Sequence, residues 1–87
     1  MGIEEWTEKA AYAFILKHGP LDKFAVIEYL MEVVEDQFGT TEHKGHRIPQ
    51  SVLLRMWDYG VVSEYMKNGK WMIEITTADS PKQVRID

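Results

Sequence analysis

No cysteine occurs in the 87 residues, which removes disulfides, thiolate metal sites and cysteine nucleophiles and suits a reducing compartment. Long hydrophobic runs are missing as well: none approaches the roughly 20 apolar residues that a membrane-crossing helix needs, so the chain is expected to be soluble and cytoplasmic with no membrane partner. Low-complexity stretches, internal repeats and an evident linker are absent. Neither a Gly-rich phosphate loop, a Ser nucleophile elbow nor the spacing of a metal-ligand set appears, so an enzyme is not expected and no cofactor is implied. An excess of base is lacking too: the formal net charge is −4, which argues against a simple polyanion binder. The first six residues, Met1-Gly2-Ile3-Glu4-Glu5-Trp6, are acidic and amphipathic and do not read as a secretion signal. Trp6 stands where an acylation signal built on Gly2 would want Ser or Thr.

What is present suits one small domain. Hydrophobic residues make up 45% of the chain and charged residues 28%, enough apolar bulk for a modest core and no more. The charge is unevenly spread. Residues 1–36 carry eight acids against three bases, whereas residues 43–71 carry five bases against two acids. Local potential, not the mean, steers a charged partner.

Periodicity marks three helices. From Ile3 to His18, Ile3, Trp6, Ala10, Ala13, Phe14 and Lys17 fall on one stripe, widened by Ala11, Ile15 and Leu16. Gly19-Pro20 stops that helix. Asp22 is placed as the N-cap of a second helix, whose inward residues are Phe24, Ile27, Leu30, Met31 and Val34, with Val26 and Val33 adjoining. Glu28, Glu32, Glu35 and Asp36 mark its wet side, and it is expected to end near Gln37 or Phe38. Residues 39–48 read as a polar loop. Pro49 suits the first position of a third helix, with Leu53, Met56 and Trp57 inward, helped by Val52 and Tyr59, and Gly60 at its end.

The sharpest local signal follows. Residues 61–67, then Asn68-Gly69, then residues 70–76 describe a β-hairpin, because Asn-Gly tolerates the positive φ angles of a type I′ turn. Counting outward from the turn sets Met66 opposite Trp71, Glu64 opposite Ile73 and Val62 opposite Ile75. That shared face is apolar apart from Glu64 and is expected to pack on the helices. Val84-Arg85-Ile86 could add a short strand or fray.

The segment from Ser51 to Ile75 resembles the winged helix-turn-helix superfamily. Leu53 and Met56 stand at the apolar positions of a recognition helix, Gly60-Val61-Val62 at the step into a strand, and Asn68-Gly69-Lys70 at a basic hairpin tip with Trp71 leading the return strand. His18-Gly19-Pro20-Leu21 looks like the segment that opens the helix-turn-helix. The resemblance covers roughly residues 5–76. It implies an α+β winged helix over residues 1–76, three helices followed by a two-stranded wing, with residues 77–87 as a tail that is either disordered or a short strand. The loop before the third helix is long for the type, and the net charge is unusual for a strong DNA binder.

The implied function is double-stranded DNA binding by a small transcriptional regulator; size alone likens it to the compact regulators of phages, archaeal viruses and plasmids. The third helix would enter the major groove and the wing would hold backbone. Arg47, Gln50, Ser51, Leu54, Arg55 and Asp58 point away from the inward stripe. Arg can take two acceptors on guanine, Gln pairs with adenine and Ser reaches base edge or phosphate. Lys44, His46, Lys67 and Lys70 would hold backbone, adding affinity and salt dependence, and Asn68 joins the DNA-binding set at the hairpin tip. The bland alternative is that all are solvated polar residues. Glu42, His43 and His46 are too few for a zinc site and are read as loop decoration. Ile3, Trp6 and Ala10 could instead meet a second copy, giving a homodimer. The competing function is a protein–protein module whose acidic helical face meets a basic partner.

Overall fold

A computed structural model describes residues 2–39, 47–78 and 80. Helix α1 spans Ile3–His18, strand β1 Leu21–Asp22, helix α2 Lys23–Phe38 and helix α3 Arg47–Asp58. Strands β2, Val62–Lys67, and β3, Lys70–Ile75, complete an α+β chain with a three-stranded antiparallel sheet in the order β1-β3-β2. Among the described residues the expected two strands are therefore three. Leu21 pairs with Ile73 and Asp22 with Met72; two residues carry no alternation from which a strand could be read.

Local chemistry accounts for the boundaries. The Phe24 amide donates to Asp22 Oδ1 at 2.8 Å, so Asp22 caps α2 as expected. Gly39 closes that helix at φ 67°, a left-handed conformation, with its N–H donating to Glu35 O. Helix α3 begins two residues earlier than expected, leaving Pro49 inside the first turn, where a missing N–H is still harmless. At its other end the Gly60 N–H donates to Trp57 O and the Val61 N–H to Met56 O, the paired bonds of a Schellman turn. Gly60 takes φ 77° there.

The hairpin has the expected register throughout, from Val62 opposite Ile75 to Lys67 opposite Lys70. Asn68 and Gly69 adopt φ 52° and 78°, the positive angles that the type I′ turn requires.

One core joins the elements. Ala11 and Ile15 of α1, Val26 and Leu30 of α2, Val52, Leu53 and Met56 of α3, Val62 of β2 and Ile73 of β3 are buried together. The stripe of α1 is rotated from its expected position: Thr7, Ala11 and Ile15 lie at its centre, and Ala13 and Lys17 are exposed. Thr7 passes for polar in sequence, but its hydroxyl donates to Ile3 O at 2.7 Å, so the methyl can be buried without an orphaned donor. Trp6 is half-buried and meets Phe38 edge-on at 5.3 Å between ring centroids. In α2 the buried line is Val26, Leu30 and Val34, while Phe24 is exposed. Tyr59, expected inward, is also exposed, because it follows the last residue of α3 and swings out at the turn. The hairpin face packs on the helices only at its root, since Met66 and Trp71 are exposed. Glu64, the charged exception on that face, is half-buried and ion-paired with Lys23 at 2.7 Å.

Candidate nucleic-acid interface

Helix α3 is sharply two-sided. Pro49, Val52, Leu53 and Met56 face the core, and the spacing that puts them inward turns Arg47, Gln50, Ser51, Leu54 and Asp58 out into solvent. Arg47, Gln50 and Ser51 occupy the first turns of one open surface. Arg55 is half-buried, and its Nη1 lies 3.4 Å from Glu4 Oε2 in the first turn of α1. A guanidinium expected to be free is thus engaged by an acid from another helix.

The second group is the hairpin tip. Lys67, Asn68, Gly69 and Lys70 are all exposed, and the two lysines are direct cross-strand partners. Like charges set opposite one another destabilise a hairpin, and among the described residues neither lysine has an ion-pair partner. Lys67 lies five residues beyond Val62, which at about 3.3 Å per residue puts the tip roughly 17 Å out from the corner where α3 hands over to β2. The sequence expectation for Lys44 and His46, and for Glu42 and His43, falls outside the described residues, as does that for Val84-Arg85-Ile86. The structure therefore brings Arg47, Gln50 and Ser51 together on α3 and Lys67, Asn68 and Lys70 together on the tip. It ties Arg55 to α1.

Sequence reasoning set one neighbour of this surface, Tyr59, inward and overlooked a second, the acids at the start of α1. Tyr59, with Ser51, Leu54, Arg55 and Asp58, lines a shallow depression of about 340 Å³. Glu4 and Glu5 line a second of about 400 Å³ with Gly2, Ile3 and Arg55. Arg55 borders both. Tyr59 follows the last residue of α3, past the reach of helical spacing, and a contact between residues 51 positions apart leaves no local trace.

The exposed side of α2 has another character. Glu28, Glu32, Glu35 and Asp36 of α2 are all exposed, and Glu32, Glu35 and Asp36 border an open groove with Tyr29, Val33 and Gly39. Among the described residues no helix is long and apolar enough to cross a membrane. Compared with models of protein families, with curated proteins and with solved structures, the chain matches none. The reading of the surface therefore rests on its own residues.

Proposed function

We propose that the protein is a winged helix that binds double-stranded DNA, with α3 in the major groove and the hairpin as the wing on the backbone. The observation that carries the reading is the pairing of two exposed groups of the right chemistry. Arg47, Gln50 and Ser51 offer base-reading chemistry on the outer side of α3, and the exposed Lys67 and Lys70, without an ion-pair partner among the described residues, stand on a tip roughly 17 Å out from the corner between α3 and β2. Three helices preceding the hairpin are compatible with the winged-helix layout. The role of a transcriptional regulator follows from the resemblance and from the absence of a catalytic constellation in the sequence.

Fluorescence anisotropy of a labelled random-sequence duplex tests the proposal. Binding is expected at low salt and should weaken steeply as salt rises, because phosphate neutralisation releases counterions. A folded Arg47→Ala, Lys67→Ala, Lys70→Ala variant should lose most of it. No binding at low salt would overturn the reading. The exposed acids of α2 favour a second one, a protein-interaction module that meets a basic partner through Glu28, Glu32, Glu35 and Asp36; charge reversal there, without effect on DNA, would distinguish it.

A further inference from the structure

The outer surface of α3 is shared with the first turn of α1. Arg55 and Glu4 meet through a single N–H···O contact of 3.4 Å, and the Glu4 side chain is more than half exposed. An ion pair of this kind, solvated and not bidentate, does little for the fold. The helix dipole accounts for acids in the first turn of α1, but it does not require either of them to reach α3. Position is the informative feature: Arg55 borders the depression on the outer surface of α3 and also the one that holds Glu4 and Glu5.

We propose that Glu4, with Glu5 beside it, restrains DNA binding at α3. The inference rests on the DNA reading above. Glu4 holds the Arg55 guanidinium in place and offsets its positive charge where a phosphate would otherwise meet it. Exchanging the solvated carboxylate for a single phosphate oxygen brings Arg55 little. Exchanging it for the O6 and N7 of guanine replaces one contact with a bidentate pair. The acids thus lower affinity for DNA of any sequence and leave a site with a correctly placed guanine favoured. Glu4 acts through Arg55 and is a residue of selectivity; it need not touch DNA.

The test is a double-mutant cycle on the full chain, read by anisotropy on a random-sequence duplex across a salt series. Glu4→Gln keeps the shape of the side chain and removes its charge. It should tighten binding roughly three- to tenfold at moderate salt and steepen the slope of log K against log salt by about 1, as one more phosphate is neutralised. Glu4→Gln combined with Arg55→Ala should lose that gain. Glu28→Gln on α2 changes net charge equally and should leave affinity within about twofold of the wild type, because that surface lies outside the proposed interface. Loss of a merely structural ion pair would not tighten binding at all. The proposal is overturned if Glu4→Gln binds like the wild type, if the gain survives Arg55→Ala, or if Glu28→Gln reproduces it; in each case the DNA reading stands on wild-type binding. If neither wild type nor Glu4→Gln binds at low salt, the DNA reading falls, and the restraint with it.

Discussion

The two ends of the hairpin follow the same alternation and have opposite fates. At the root, Val62 and Ile73 are buried, and the Ser63 and Thr76 hydroxyls share a hydrogen bond of 2.9 Å. At the tip, Met66 and Trp71 stand on the same face but are 53% and 46% exposed. The Lys23–Glu64 ion pair marks the border between them. Alternation tells which residues share a face; whether anything covers that face depends on how far the helices reach. The root is accordingly a matter of stability, and the tip, with its facing lysines, is on the proposed reading a matter of contact.

Substitutions at four points along the hairpin and its support separate stability from contact. The largest effect is expected at the root, where Ile73→Ala should cost about 2–5 kcal/mol. In a domain of this size that is a large share of the total, and urea denaturation would measure it. Lys23→Ala at the border leaves the half-buried Glu64 carboxylate without its charged partner, for about 1–3 kcal/mol by the same assay. Gly69→Ala strains a residue held at φ 78° and should cost about 1 kcal/mol; thermal unfolding would resolve it. The smallest change in stability is expected at the tip itself. Lys67→Ala with Lys70→Ala should leave stability within about 0.5 kcal/mol, yet lower the salt slope of DNA binding by about 2. A large loss of stability in that last variant would show that the tip serves the fold after all.

Much of this architecture is legible in the sequence, and the failures have physical causes. Asn68-Gly69 fixes the register because its turn admits few alternatives, and Asp22 declares its helix through a side chain that can cap. The stripe of α1 is misplaced by one position because Trp6 draws attention to itself, whereas Thr7 conceals an apolar methyl behind a hydroxyl that Ile3 O satisfies. β1 escapes notice because its pairing with β3 comes from tertiary packing and not from a pattern in Leu21 and Asp22. In the candidate site, the outward residues of α3 follow from helical spacing alone. The engagement of Arg55 by Glu4 does not, since nothing local connects the ends of a contact between two helices.

The Schellman turn at Gly60 and Val61 has a mechanical consequence. Its two backbone bonds leave no free linker between α3 and β2, and the corner is pinned to the core through Met56 and Val62. Helix and hairpin therefore form one preorganised piece. A ligand gripping both does not have to freeze a joint between them, which spares the ordering entropy that a loosely tethered arm would lose on binding.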